Sequence, residues 1–367
     1  MMMISIPTLR VVATVSTATA LALIVSLVGC APPTASDSAK DVTVTPEELN
    51  VQYRIVYYGW DANELAPAME RDVRELVEAG LPEDRFRSVA VRSSSLSRGE
   101  IELVTGTDRR TVAIDTPAEG TLFDEETLRY LRGRINELVP AEREIVIVAA
   151  HGRGWRGIGL EDTRAERVLS PTALTVLTTS TIGRESETEF APVELLVLDV
   201  GYGATAEYLT AWATTETAIV ASAGARPREG VNFAAVGTSI RGIDDGDDSS
   251  RAVVDAYVDA FRDTGDEVVH LASESLSTVV SEVARLAEAG TLAIRTADDQ
   301  ERLRDILLDY AVADALPGEA FVTLENVASA IGAPSPPGAI APVRIHLAYL
   351  DELGVPDGHD HGYRTDT

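Results

Sequence analysis

Ile145–Ala150 reads IVIVAA, an apolar run without a polar break. A strand with one wet face alternates, so an unbroken run needs cover on both faces, as in a central parallel strand. Val193–Leu198 (VELLVL) and Thr217–Ala221 (TAIVA) are further runs of this kind, and Val51–Tyr58 (VQYRIVYY) is β-branched and aromatic. Phe86–Val91 (FRSVAV) alternates as another strand, and Ile101–Val104 with Thr111–Ile114 forms a hairpin about Gly106. Helical segments lie between these strands. Asp61–Ala79 puts Leu65, Met69, Val73, Leu76 and Val77 on one face and stops at Gly80. Asp124 can cap a helix running to Val139, with Leu128, Leu131, Ile135 and Leu138 apolar and Pro140 ending it. Ser170-Pro171 opens another helix, and one more follows Gly201 through Trp212. Strand alternating with helix gives an α/β sandwich: a mostly parallel central sheet with helices on both faces.

The remainder of the chain divides around this core. Residues 51–242 form the α/β domain, and residues 243–367 form a mostly helical extension of it ending in a polar tail. The extension opens on an acidic loop at Ile243–Ser250. Helical stretches follow near 251–263, 274–289 and 298–311, with an edge strand at 342–349 and a tail from Asp357 to Thr367. No internal repeat is visible.

At the other end, Val11 to Val28 is uncharged and apolar behind Arg10. Such a stretch is near the length of a membrane span. Leu27-Val28-Gly29-Cys30, however, resembles the lipobox of bacterial lipoproteins, in which cleavage precedes a cysteine that receives diacylglycerol. Residues 1–29 are then a signal peptide, Cys30 is the lipidation site and residues 30–50 are a tether. The Pro, Ser, Thr and Ala of Ala31 to about Glu48 carry no apolar period and suit a flexible linker. A lipid on Cys30 implies an extracytoplasmic protein of a bacterial cell envelope. Ala31, where an aspartate would favour retention, implies the outer membrane if the cell has one.

Composition removes several function classes. With 59 Asp+Glu against 31 Lys+Arg, the formal net charge is −28, which opposes binding to nucleic acid. The chain's single cysteine, Cys30, excludes an internal disulfide framework and a thiolate-rich zinc site. His359 and His361 flank Asp360 in the tail, where a solvated terminus explains them better than a metal site. Gly152-Arg153-Gly154-Trp155-Arg156-Gly157 has G-x-G-x-x-G spacing, but the loop-like Ile158–Asp162 follows it. The helix N-terminus that a nucleotide's pyrophosphate needs is therefore missing from the pattern. H-E-x-x-H, G-x-S-x-G and G-K-[ST] are all absent. No cofactor, nucleotide or metal is implied.

Ligands of open parallel sheets bind beyond the carboxyl ends of the strands. Two loops leave such ends: His151-Gly152-Arg153-Gly154-Trp155 and Asp199-Val200-Gly201-Tyr202-Gly203. A histidine beside glycines there can serve as a general base, or can simply hydrogen-bond across its loop.

These segments together resemble the clostripain family of cysteine peptidases, which have a caspase-like fold. Tyr57-Tyr58-Gly59-Trp60-Asp61-Ala62-Asn63-Glu64-Leu65 is similar to the family's opening strand and acidic turn. Ile145–Trp155 is similar to its apolar strand ending in His-Gly-x-Gly-Trp. Glu194–Glu207 is similar to its strand followed by Asp-x-Cys-x-Met-x-x-x-Glu. Ala221-Ser222-Ala223 and Gly230-Val231-Asn232-Phe233 are similar to a later strand and loop. The resemblance covers about residues 51–240. It implies that His151 is the catalytic histidine, that Gly152 supplies an oxyanion amide and that Gly201 stands where the nucleophilic cysteine belongs. Asp199 and Glu207 keep the family pattern, Gly203 replaces its methionine, and Trp155, Asp199 and Ser222 are candidate ligand contacts.

A glycine cannot become a thiolate, so the resemblance implies a vacated peptidase site. The expected role is then capture of a peptide or protein, with an arginine-containing ligand favoured by the acidity and by the family's preference. One rival is a hydrolase with a non-cysteine nucleophile, Ser222 being the nearest candidate and His151 its base. Another is an envelope protein without a ligand, to be expected if the 151 and 201 loops lie collapsed together.

Overall fold

The computed structural model describes residues 50–346, apart from 62–63, 97, 117–120, 153–156, 161–166, 180–189, 225–231, 242–254, 256–257, 260–267, 294–295, 311–320 and 339. The first half runs β1 (Val51–Gly59), α1 (Ala66–Glu78), β2 (Phe86–Arg92), α2 (Ser93–Leu96), β3 (Glu100–Thr105), β4 (Asp108–Ala113), α3 (Glu125–Leu138) and β5 (Ala141–Ala150). Next come a small hairpin of β6 (Ile158–Leu160) and β7 (Arg167–Leu169), then α4 (Pro171–Leu174), β8 (Val193–Val200), α5 (Ala206–Ala211), β9 (Ala218–Ser222) and α6 (Phe233–Arg241). The last part runs β10 (Val268–Leu271), α7 (Ser273–Ala293), α8 (Ala297–Tyr310), β11 (Phe321–Thr323), α9 (Leu324–Ala330) and β12 (Arg344–His346).

Eight strands form one sheet in the order β10-β9-β8-β5-β1-β2-β3-β4. The five from β9 to β2 are mutually parallel, and the edges are antiparallel. The chain steps from β1 to β2 on one side, then returns to place β5 on the other. The strand order therefore reverses at β1, and the crevice beyond that reversal is where such sheets bind ligands.

The apolar runs explain the layers. Along each central strand alternate residues face opposite ways. Ile55, Tyr57, Ile147, Ala149, Val197 and Val220 join a core with Met69, Val73 and Leu76 of α1 and Phe233 and Val236 of α6. Their neighbours Val56, Tyr58, Val146, Val148, Leu196, Leu198 and Ile219 join a second core with α3, α5 and α7. The mostly parallel sheet with helices on both faces is thus present as expected.

Punctuation residues act locally as read. Gly80 adopts φ +54° after α1, in the left-handed region that a side chain disfavours. Helix α1 starts at Ala66 rather than Asp61: Pro67 sits in its first turn, and Asp61 is engaged elsewhere. The Asp124 carboxylate accepts from Thr127 N at 3.0 Å and from Thr127 Oγ1 at 2.7 Å, which holds its pKa below the usual range. Asp124→Ala is expected to destabilise the fold by about 1 kcal/mol in urea denaturation at neutral pH. Because the folded-state pKa is lowered, the difference between the two chains should shrink as the pH falls through the acid range.

Beyond residue 242 helices α7, α8 and α9 are joined by short strands, and β10 adds an antiparallel edge strand to the main sheet. The strand expected at 342–349 appears as β12, but it pairs with β11 in a separate two-stranded sheet. Short strands such as these lack the length over which a period becomes visible. Helices α7 and α8 match the expected stretches at 274–289 and 298–311, and most of 251–263 lies outside the described residues. Among the described residues no helix is long and apolar enough to cross a membrane. The expected signal peptide, Cys30 and most of the expected tether lie outside the described residues.

Candidate functional site

The loops after β5 and β8 leave neighbouring strands, whose register pairs Ala149 with Asp199 and Ala150 with Val200. One residue further, the two backbones touch. A Cβ added to Gly152 would overlap the Gly201 carbonyl oxygen and lie 2.8 Å from its carbon and 3.1 Å from Gly201 N. The structure therefore brings Gly152 and Gly201 together. At the carboxyl end of β8 it presents a backbone turn rather than a thiol or hydroxyl side chain.

His151 sits immediately beyond β5, with a third of its side chain exposed. Its Nε2 lies 3.1 Å from Oε1 of Glu64, at ion-pair distance without hydrogen-bond alignment. Glu64 belongs to the turn between β1 and α1. Strand β5 lies between β1 and β8, so this contact reaches to the side of the sheet opposite Gly201. An attraction of this kind requires the protonated imidazole.

The turn at Gly201 is fastened from three directions. Tyr202 takes φ +57°, unusual for a residue with a side chain. Its N–H donates to the Gly224 carbonyl at 2.8 Å, and Ala204 N donates to the Ser222 carbonyl at 2.9 Å. The buried Tyr202 ring stacks on Phe321 with centroids 4.5 Å apart, and Arg344 N donates to the Ala204 carbonyl at 3.1 Å. The two-stranded sheet of β11 and β12 thus packs on this turn. Ser222 is fully buried, with Oγ donating to the Gly224 carbonyl at 3.1 Å and accepting from Gly224 N at 3.2 Å. Its hydroxyl braces its own turn.

Asp199 is the penultimate residue of β8 and is 7 % exposed. Three groups near it escape a reading of the sequence by motif. Tyr57 of β1 donates its hydroxyl to Asp72 Oδ2 of α1 at 2.8 Å. Asp72 is 2 % exposed, and its carboxyl pKa is pushed up to about 8, first by burial and then by the charge of Asp199. The Tyr57 hydroxyl, also buried, is raised well above its usual range by desolvation and by Asp72. Asp61, at the end of β1, accepts from Ser93 Oγ at 2.9 Å, Ser94 N at 2.8 Å and Ser94 Oγ at 2.6 Å, so it anchors α2. The available signal was position: Tyr57 and Asp61 belong to the Tyr57–Leu65 segment, and Asp72 follows on the next helix.

Trp155 lies outside the described residues. Glu207 falls in the first turn of α5. Among the described residues no group of three or more His, Cys, Asp or Glu is placed to hold a metal ion. What these groups offer is acidic side chains on the strands and helix next to closely packed glycine backbones.

No protein-family model matches the chain, and no curated protein matches it by sequence. Solved structures do. An inactive zymogen C11 protease from Parabacteroides distasonis superposes with a TM-score of 0.54 at 14% identity, over 82% of this chain and 94% of that one. A secreted C11 cysteine protease from Bacteroides thetaiotaomicron, in complex with an irreversible peptide inhibitor, gives 0.51 at 12% identity over 82% of each chain. The chain shares the caspase-like fold of these clostripain-family proteases.

Proposed function

We propose that this chain is a lipid-anchored cell-envelope protein in which a clostripain-type peptidase site serves capture rather than cleavage. The observation that carries this reading is Gly201, a residue without a side chain at the strand end where the resemblance puts the cysteine nucleophile. The engagement of His151 with Glu64 supports it, since a base serving position 201 would face the other way. Asp199 lies at the carboxyl end of β8, and the chain as a whole carries −28. A basic ligand, such as an arginine-containing peptide or protein segment, fits that field. Lipidation at Cys30 would hold the domain at the membrane surface, with residues 31–48 as its tether.

A titration of the full-length chain with arginine-containing peptides, followed by calorimetry, tests the reading. Saturable binding is expected, and no binding at millimolar peptide overturns it. In parallel, the parent chain and Gly201→Cys are assayed against a peptide library. Hydrolysis only by the cysteine variant is the expected result. Hydrolysis by the parent chain that His151→Ala abolishes and thiol alkylation spares would establish the non-cysteine hydrolase instead.

One observation favours a second reading, a structural envelope protein without a ligand. The Gly152 and Gly201 backbones are in direct contact, as that reading requires of the two loops. The same calorimetric titration separates it from capture.

A further inference from the structure

Arg54 and Glu144 stand at the same level of two central strands: they are register partners on β1 and β5, and neither side chain reaches solvent. Arg132 of α3 joins them from the helix layer, with a side chain 2 % exposed. Two guanidiniums share this one carboxylate, because among the described residues no other acid lies at ion-pair distance from either. Arg54 Nη2 donates to Glu144 Oε2 at 2.5 Å, whereas Arg132 Nε stands 3.9 Å from Glu144 Oε1, too far for a hydrogen bond. The pairing is complete on the Arg54 side only, and the buried cluster keeps one positive charge in excess.

The hydrogen bonds lean the same way. Arg132 gives Nη1 to the Val176 and Thr179 carbonyls and lies over the Phe190 ring. Its Nε and Nη2 are buried and have no acceptor among the described residues. These two nitrogens form one edge of a guanidinium, whose parallel N–H bonds hold an anion together. Arg54 Nε and the Tyr58 hydroxyl, on the same face of β1, are likewise buried donors without an acceptor. Burial raises the Tyr58 pKa, so the phenol keeps its proton and offsets no charge. Against these four donor atoms stands a single orphaned carboxylate oxygen, Glu144 Oε1. Buried donors in folded proteins are almost always satisfied, and an uncompensated interior charge is costlier than a missing hydrogen bond. Water would satisfy the N–H groups and leave the charge. A small anion answers both.

We propose that a single halide ion, chloride in ordinary salt, completes this cluster on the Nε–Nη2 edge of Arg132, with the Tyr58 hydroxyl and Arg54 Nε as its further donors. The cluster is closed to solvent, which excludes phosphate or an organic anion. The ion neutralises the second guanidinium and ties α3 and the Val176–Thr179 turn to β1. It is bound by the folded chain alone, so its affinity appears as stability. The site is independent of peptide capture: it lies toward the amino-terminal ends of β1 and β5, whereas His151 and Gly201 lie beyond the carboxyl ends of their strands.

Urea unfolding of the full-length chain at constant ionic strength, with sodium chloride replacing sodium gluconate, reads the ion. The unfolding equilibrium constant should fall as chloride rises, approaching about tenfold per tenfold in chloride, the slope of one ion per chain. Bromide should substitute for chloride. Screening of the chain's own charge is equal in the two salts, and preferential exclusion of gluconate would act in the opposite direction. Arg132→Met removes both the N–H edge and the excess charge, so its stability should not depend on chloride. Glu144→Gln raises the excess to two charges and should respond at lower chloride than the parent chain, which keeps the proposal testable if Arg132→Met does not fold. In crystals grown with bromide, anomalous scattering should appear beside Arg132. Equal stability in the two salts for both the parent chain and Glu144→Gln, or a water in place of the bromide signal, would show that solvent completes the cluster and overturn the proposal. A chloride dependence that survives in Arg132→Met would place the ion elsewhere and overturn it equally.

Discussion

Gly152→Ala is expected to unfold at a much lower urea concentration than the parent chain, a loss of about 3 kcal/mol or more. The new methyl would be driven into the Gly201 carbonyl, with the carbonyl carbon at 2.8 Å and the amide nitrogen at 3.1 Å. These are backbone atoms of a turn that Gly224, Ser222 and Arg344 already fasten, so no side chain can swing aside. Either the loop after β5 or that after β8 must move, and each is continuous with a central strand. Gly133→Ala is the control. It lies inside α3 with nothing within 4 Å of the added carbon, and should stabilise by roughly 0.5–1 kcal/mol. Equal midpoints for Gly152→Ala and the parent chain would show that the loops do not touch in solution. The result bears on function as well. A glycine after the histidine is part of the peptidase resemblance, yet packing alone requires one at 152, so its presence is no sign of catalysis.

The sheet was legible because its central strands are buried on both faces and therefore leave apolar runs such as Ile145–Ala150. Two loops of the candidate site were legible for a related reason, since each begins where a run ends. The edges were not. Val268–Leu271 is too short to show a period, and Arg344–His346 pairs with a segment that carries no strand signature. The buried polar groups were hidden more deeply. Asp72 reads as an ordinary polar position of an amphipathic helix, but it is buried and accepts from the Tyr57 hydroxyl on the preceding strand. His151 was identified by its position, while its contact with Glu64 depends on β1 and β5 being neighbours, which only the assembled sheet reveals. Arg54 lies within the β-branched and aromatic run VQYRIVYY. What it meets could not be read from either run alone.

That meeting supports the second large effect. Arg54 and Glu144 are register partners on β1 and β5, and both side chains are fully buried. Arg54 Nη2 donates to Glu144 Oε2 at 2.5 Å, and its Nη1 donates to the Val139 carbonyl and to Asn136 Oδ1. Arg132 of α3 brings Nε to 3.9 Å from Glu144 Oε1, donates to the Val176 and Thr179 carbonyls, and lies over the Phe190 ring at 4.7 Å. Burial pulls the Arg132 pKa down, a sign that its charge is poorly solvated, and Glu144 is the main group holding it up. Glu144→Leu strands two guanidiniums in the interior and should cost about 3–5 kcal/mol. That is a large share of the stability of an ordinary domain. Glu144→Gln keeps an acceptor for Arg54 and should lose less. Adding Arg54→Met to Glu144→Leu should recover part of the loss, because the uncompensated charge then falls by one. A purely additive double variant, or a Glu144→Leu chain within 1 kcal/mol of the parent, would show that water already solvates these groups. The cluster ties α3 to the amino-terminal parts of β1 and β5, on the sheet face away from α1. The folded fraction of Glu144→Gln should therefore bind peptide with the parent's affinity, separating the scaffold's contribution from that of the crevice.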